Sequence, residues 1–252
     1  MLDTLFTGRR VISLESIDST NNFAKELLRT DKVVEGTLIS AREQVAGKGQ
    51  AGNKWLTEPG QNLTVSYILQ PGFLPVDKQF YLSMVASLAV RECCETLAHT
   101  DFHIKWPNDI YYLDEKIAGI LIENILTGNK ISSAVIGIGL NVNQTFFDIS
   151  IPNATSLRNV NFEQYDLAIV RDTLSYFLEK YYLQLRLMHY NFIERAYVTS
   201  LYRYHQTALF ISGKKTFRGQ ITGVSKDGKL LIESDGKEMR FAFKEVQFVI
   251  DK

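Results

Sequence analysis

The chain has 252 residues, 45% of them hydrophobic and 22% charged, enough apolar mass for one large domain or a large and a small one and too much for a disordered chain. Lys plus Arg and Asp plus Glu number 28 each, so no bulk charge exists to coat a nucleic acid or a membrane surface. The two cysteines, Cys93 and Cys94, are neighbours in an apolar run, which fits neither a disulfide framework nor a zinc spacing. With no leader-like N-terminus and no stretch near the ~18 apolar residues of a membrane span, a soluble protein of a reducing, cytoplasmic compartment is expected.

Asp18-Ser19-Thr20 supplies helix-capping residues ahead of Phe23, Ala24, Leu27 and Leu28 at helical spacing. A strand is predicted from Thr37 to Gln44, then a glycine-rich segment, then a strand from Asn62 to Leu69. From Gln79 to Ala98 apolar residues run almost all round the helical wheel, as in a helix buried against a sheet. Phe102 to Lys105, Ile110 to Tyr112, Ile117 to Ile125 and Ser133 to Asn141 read as strands, and Leu113-Asp114-Glu115 turns the middle pair into a hairpin. Helical spacing returns from Glu163 to His189 and from Phe192 to Tyr204. After Gln206 the character changes to five short β runs: Ala208–Ile211, Thr216–Val224, Leu230–Glu233, Arg240–Phe243 and Val246–Ile250. Two hairpin turns, Asp227-Gly228 and Asp235-Gly236, punctuate them. The expected architecture is α+β: a mixed sheet with packed helices over residues 1–205, and a small SH3-like β-barrel over 206–252.

Four segments carry chemistry. Ala46-Gly47-Lys48-Gly49-Gln50-Ala51-Gly52-Asn53-Lys54-Trp55 matches G-x-G-x-x-G in letters. No helix follows it and no acid lies some 20 residues on, so a dinucleotide fold is not indicated; nor does it carry the Gly-Lys-Ser/Thr of a Walker loop. What remains is either an ordinary β-connection or a flexible loop offering backbone N–H groups, two lysines and a tryptophan to an anion. Lys105-Trp106-Pro107-Asn108-Asp109 places two oxygen-bearing side chains on a turn, where they can bond backbone, metal or phosphate. Lys116 opens the apolar run Ile117-Ala118-Gly119-Ile120-Leu121-Ile122 before Glu123, as a solvated strand end or as a charge at a site. In Gly137-Ile138-Gly139-Leu140-Asn141-Val142-Asn143, two glycines inside a β run imply a close approach to the backbone, or a bulge.

Taken together and in order, Ser19-Thr20-Asn21, Gln44 with GKGQAGNKW, KWPNDIYYLDEKIAGILIE and GIGLNVN resemble the biotin protein ligases from about residue 12 to the end of the chain. The resemblance implies activation of biotin's carboxylate by ATP as biotinyl-5'-AMP, and transfer to one lysine of a biotin carboxyl carrier protein such as that of acetyl-CoA carboxylase. It implies Lys116 as the central catalytic lysine, bridging biotin's carboxylate and the α-phosphate, with Lys48 in place of the first loop arginine of the family. Ser19, Thr20, Asn21, Gln44, Gly47, Lys48, Gly49, Gln50, Lys116, Gly119, Gly137 and Gly139 match the biotin-binding positions. Neutral hydroxyls and amides suit an uncharged ureido ring. Lys48, Trp55, Lys105, Asn108, Asp109, Lys116 and Asn141 are implied for ATP, with Trp55 near the adenine and Asn108 and Asp109 as candidate Mg²⁺ ligands.

The sequence departs from the family where further loop arginines are common, carrying Gln50 and Asn53. Ser19 stands 18 residues from the start, too few for a helix-turn-helix ahead of it, so an enzyme without DNA binding, monomeric or homodimeric, is expected. The alternatives are a lipoate or octanoate ligase or transferase of the same superfamily, whose lysine context differs from WPND followed by KIAGILIE, and a non-catalytic binding module built on the C-terminal barrel.

Overall fold

In a computed structural model, which describes residues 3–149, 151 and 153–250, seven strands form one mixed sheet. They are β1 (Val11–Ile17), β2 (Thr37–Gln44), β3 (Leu63–Leu69), β4 (His103–Lys105), β5 (Asp109–Tyr112), β6 (Glu115–Thr127) and β7 (Lys130–Leu140), in the order β1-β2-β3-β7-β6-β5-β4. β1 runs parallel to β2 through the crossover helix α1 (Thr20–Thr30), and the remaining neighbours are antiparallel.

Period-two alternation sorts the faces of this sheet. Leu63, Val65, Tyr67 and Leu69 of β3 and Ala134, Ile136, Ile138 and Leu140 of β7 join the main apolar core. That core is covered by α2 (Phe80–Ala98), α4 (Leu167–Arg186) and α5 (Tyr190–Thr199). On the opposite face Ile39, Ile68 and Val135 meet Ala24 of α1 in a smaller cluster. The same face continues, beyond α1, as Thr64, Ser66, Gly137, Gly139 and Gly119. These lie abreast in register across three adjacent strands: Thr64 opposite Gly139, Gly139 opposite Gly119, and Ser66 opposite Gly137.

The C-terminal strands β8 (Thr207–Ser212), β9 (Lys215–Val224), β10 (Leu230–Ser234), β11 (Lys237–Phe241) and β12 (Gln247–Phe248) make a five-stranded antiparallel sheet in the order β11-β10-β9-β8-β12, the SH3-like module expected. Positive φ at Gly228, Asp235 and Gly236 fits the two predicted hairpin turns. Phe210, Ile221, Leu230 and Ile232 belong to the same apolar cluster as the larger sheet. The module is thus docked through a shared core: Trp106 Nε1 donates to the Gly228 carbonyl at 2.9 Å, and a Cβ on Gly228 would come within 2.6 Å of the Phe80 ring.

Several boundaries differ from the sequence reading. Strand β1 was not predicted: Val11, Leu14 and Ile17 interrupt polar residues without strict alternation, as suits a strand at the sheet edge with one neighbour. A short helix, α3 (Leu157–Asn161), capped by Ser156 Oγ on the Asn159 N–H, was also missed. The helix expected from Glu163 starts at Leu167, after the Asp166 cap, and ends at Arg186; Met188 at φ 59° separates it from α5, which ends at Thr199 and not Tyr204. The strand expected at Val246–Ile250 is reduced to Gln247–Phe248, and the one at Arg240–Phe243 lies at Lys237–Phe241.

Candidate active site

A cavity of about 610 Å³ opens on the glycine-lined face of the large sheet, roofed on one side by the C-terminal module. Its floor is polar or bare because bulk is sterically excluded there. A Cβ at Gly137 would stand 2.2 Å from Asn21 Oδ1, and one at Gly139 would stand 2.2 Å from the Trp55 ring. The close approach inferred from the two glycines is therefore made by side chains of α1 and of the loop.

One end is neutral and hydrogen-bonded. The start of α1 delivers Ser19, Thr20 and Asn21, all almost fully buried, and the end of β2 delivers Gln44. Gln44 Oε1 accepts from the Thr20 backbone N–H at 2.7 Å and lies 2.9 Å from Thr20 Oγ1. These two contacts fix the Gln44 amide with its NH₂ group away from Thr20. Ser66 Oγ lies 2.8 Å from Thr20 Oγ1 and 2.6 Å from Asn21 Oδ1, while Asn21 Nδ2 donates to Glu123 Oε2 at 2.8 Å.

The rest of the cavity is cationic. Lys48, Lys54, Lys105, Lys116 and Lys244 line the cavity against a single lining carboxylate among the described residues, Asp109. A chain with no net charge thus gathers five lysines in one concavity, where low dielectric strengthens their field. Lys116 Nζ pairs with Asp109 Oδ1 at 2.7 Å and stands 5.5 Å from the Trp55 ring centre. Lys105 donates to the Tyr111 hydroxyl at 2.9 Å. Burial pulls the Lys105 ammonium below its usual range, and the charges of Lys116 and Arg203 pull the same way, with Asp109 opposing. Lys48, exposed, is folded back onto α1 with Nζ 2.8 Å from Asn22 Oδ1.

The loop between the two ends folds back on itself. Trp55 N–H donates to the Gly47 carbonyl and Gly49 N–H to the Asn53 carbonyl, with a single helical turn at Gln50–Gly52. Its Trp55 ring lies on the glycine floor between Gly139 and Gly119. Trp55 Nε1 and Gln50 Oε1 are buried without a hydrogen-bond partner. Buried polar atoms are rarely left so, and both belong to cavity-lining side chains, as a site awaiting a polar ligand requires.

Of the residues picked from sequence, Ser19, Thr20, Asn21, Gln44, Lys48, Gly49, Gln50, Trp55, Lys105, Asn108, Asp109, Lys116, Gly119, Gly137 and Gly139 line this one cavity. Two do not. Asn141 is buried outside the lining, with its amide N–H donated to the Thr155 carbonyl at 2.9 Å on the connection after β7. Gly47 lies outside the lining, where a Cβ would collide with the Trp55 carbonyl at 2.3 Å; its role is to let the loop close. For the implied Mg²⁺, Asp109 is already paired with Lys116 and Asn108 spends its amide on the Ile120 carbonyl. No group of three or more His, Cys, Asp or Glu that could hold a metal exists among the described residues.

Sequence reasoning missed Phe243, Lys244, Val246, Gln247 and Phe248, which the C-terminal module contributes to the wall. It also missed Ser66 and Glu123. The one available signal was Thr64 and Ser66 alternating within an otherwise apolar strand.

Comparisons with known proteins give the family. The model of the Biotin/lipoate A/B protein ligase family matches residues 13–141. The bifunctional ligase/repressor BirA of Bacillus spizizenii is 33% identical over 239 residues, covering 92% of this chain and 72% of that one. A biotin–[acetyl-CoA-carboxylase] ligase of Paracoccus denitrificans is 35% identical over 136 residues, 51% of this chain and 53% of that one. The biotin protein ligase of Aquifex aeolicus in complex with biotin and ATP superposes with a TM-score of 0.80 at 25% identity, covering 96% of this chain and all of that one. On the extent of both the family match and the relatives' coverage, the chain belongs to the biotin/lipoate A/B protein ligase family and within it to the biotin protein ligases.

Proposed function

We propose that the protein is an ATP-dependent biotin protein ligase acting on a biotin carboxyl carrier domain, that of acetyl-CoA carboxylase being the first candidate. One observation carries the reading: a single cavity lined by five lysines joins a neutral end of hydroxyls and amides to an end built on Lys105, Lys116 and Asp109, with Trp55 Nε1 between them lacking a hydrogen-bond partner. A ureido ring offers N–H donors and a carbonyl acceptor but no charge, which matches the first end. A carboxylate approaching a triphosphate needs positive charge in a partly dry place, which matches the second.

In the first half-reaction a biotin carboxylate oxygen attacks the α-phosphorus, the bond to the β-phosphate oxygen breaks, and pyrophosphate leaves with its electron pair. Lys116 supplies charge as it builds on the oxygens around that phosphorus, and Asp109 holds the ammonium in place. Lys105, whose contacts among the described residues include no carboxylate within ion-pair distance, adds a second cation from the same wall. In the second half-reaction the neutral ε-amine of the acceptor lysine attacks the acyl carbon, AMP leaves, and the nitrogen loses a proton as the amide forms.

Magnesium fits this site as a companion of the nucleotide and not as a resident ion. The ion keeps its waters and takes one or two carboxylates beside phosphate oxygens. Asp109 and the side-chain oxygen of Asn108 are the groups placed to meet it, and what it supplies is neutralisation of phosphate charge.

The test is biotin-dependent ATP–pyrophosphate exchange by the purified chain, followed by transfer of labelled biotin to a purified carrier domain. Lipoate and octanoate serve as competing acids. Exchange with biotin and none with the fatty acids is the expected result; the reverse preference assigns the chain to the lipoate side of its family, and no exchange with any acid removes the enzymatic reading.

A further inference from the structure

The neutral end of the cavity has an unusual hydrogen-bond count. Thr20 backbone N–H can only donate, so the Gln44 atom facing it is an acceptor. At the other end the ionised Glu123 can only accept, so the Asn21 group facing it at 2.8 Å is the NH₂; the Leu121 carbonyl, 3.3 Å from the same nitrogen, asks for the same orientation. Asn21 therefore turns its Oδ1 toward Ser66. Between the two fixed acceptors, Gln44 Oε1 and Asn21 Oδ1, stand two hydroxyls, Thr20 and Ser66, with one proton each and three contacts to fill, of 2.9, 2.8 and 2.6 Å. One contact always lacks a proton.

With Ser66 donating to Asn21 and Thr20 to Gln44, the two hydroxyl oxygens face each other at 2.8 Å with lone pairs only. Thr20 and Asn21 line the cavity, so the missing proton comes from whatever occupies it, water or ligand. We infer that Glu123, through Asn21, holds this chain of side chains one proton short, so that Thr20 Oγ1 meets an incoming ligand as a hydrogen-bond acceptor and the site selects a group that carries N–H. Glu123 is thus a positioning residue that touches no substrate. The inference rests on the proposed function, in which that N–H belongs to the ureido ring.

The carboxylate is built to stay ionised. Lys25 Nζ pairs with Glu123 Oε1 at 2.6 Å, and this pair with the Asn21 amide and the Lys48 charge holds the carboxyl below its usual range despite burial. With a neutral partner in its place, only the longer 3.3 Å contact to the Leu121 carbonyl still opposes a turn of the Asn21 amide. Its NH₂ then donates to Ser66, Ser66 to Thr20 and Thr20 to Gln44, and every contact is satisfied without a ligand.

The experiment uses the full chain in biotin-dependent ATP–pyrophosphate exchange, with biotin affinity measured separately by calorimetry. Glu123→Gln should raise both the KM and the Kd for biotin by about five- to tenfold, the difference between a charge-assisted and a neutral hydrogen bond, and leave kcat and the KM for ATP within about twofold. Asn21→Asp should be worse, since it sets two carboxylates against each other. The double variant Asn21→Asp with Glu123→Gln should return affinity to near wild type. In it the amide now on β6 donates to one oxygen of the carboxylate now on α1, the other oxygen accepts from Ser66, and the deficit of one proton is rebuilt. A structural role for Glu123 gives no such rescue. Wild-type exchange with unchanged biotin affinity in Glu123→Gln, or a double variant no better than its parents, overturns the positioning role. Absence of exchange in the wild type overturns instead the proposed function.

Discussion

Replacing Lys116 by alanine removes the ammonium that Asp109 holds at 2.7 Å, in a pair whose side chains are only 31% and 26% exposed. Two charges ~4 Å apart at an effective dielectric of ~20 interact by about 4 kcal/mol. The measured cost of removing one electrostatic donor from a partly dry site is similar, about 3–4 kcal/mol or roughly 10²–10³ in rate. Lys116→Ala should therefore lower biotin-dependent ATP–pyrophosphate exchange by at least about 10²-fold. The partly exposed pair adds little to stability, so thermal unfolding should move by no more than a few degrees. A Lys116→Ala variant that keeps more than half of wild-type exchange refutes the electrostatic argument.

Gln50→Arg should slow release of preformed biotinyl-adenylate by roughly tenfold in a stopped-flow chase, because a guanidinium at the buried Gln50 position offers a charged donor where an amide offers a neutral one; an unchanged off-rate means another residue retains the intermediate. Gly139→Ala should push the Trp55 ring off the glycine floor, seen as a red-shifted tryptophan emission together with a raised KM for ATP; unchanged emission and KM would show that the floor yields. Glu179, buried, accepts the backbone N–H groups of Leu5, Phe6 and Thr7 at 2.6, 2.8 and 2.9 Å. Glu179→Ala should cost about 3 kcal/mol and lower the unfolding midpoint by about 6–12 °C, with exchange activity retained below it. Amide hydrogen exchange of residues 46–54 should slow on adding biotin and ATP, since Gln50 Oε1 gains a partner and Lys48 an anionic one only then; equal exchange with and without ligand removes that role.

Legibility in the sequence followed the reach of local rules. Strands β2, β3, β6 and β7 and helix α2 were visible because each carries a run of buried apolar residues, whereas β1 was not because one neighbour leaves its pattern weak. The loop glycines, Lys116 and the Gly137–Gly139 pair stood out because residue type alone flags them. What Gly137 and Gly139 make room for was hidden, because Asn21 and Trp55 reach them from far along the chain. Asn141 shows a related limit: an asparagine at the end of a glycine-bearing strand reads as a ligand, and its bond to the Thr155 carbonyl, off the cavity lining, could not be seen from sequence. Phe243 to Phe248 carry no motif, and their place at the cavity depends on how a whole second sheet docks.

That docking bears on how the site works. The module is joined to the sheet by a shared apolar core and by the Trp106–Gly228 bond, and Trp106 belongs to the same turn that aligns Asn108 and Asp109. Phe243 packs edge-on against the Trp106 ring, with centroids 6.4 Å apart, and Phe248 lies 5.5 Å from Lys105 Nζ. The cationic wall is therefore held from both sheets at once. Apolar rings set behind Lys105 keep its charge poorly solvated, which raises the value of that charge to an incoming phosphate. A substitution such as Phe248→Ala, on the cavity wall beside Lys105, should wet Lys105 and weaken ATP more than biotin; equal losses for both substrates would show that the module only supports the fold.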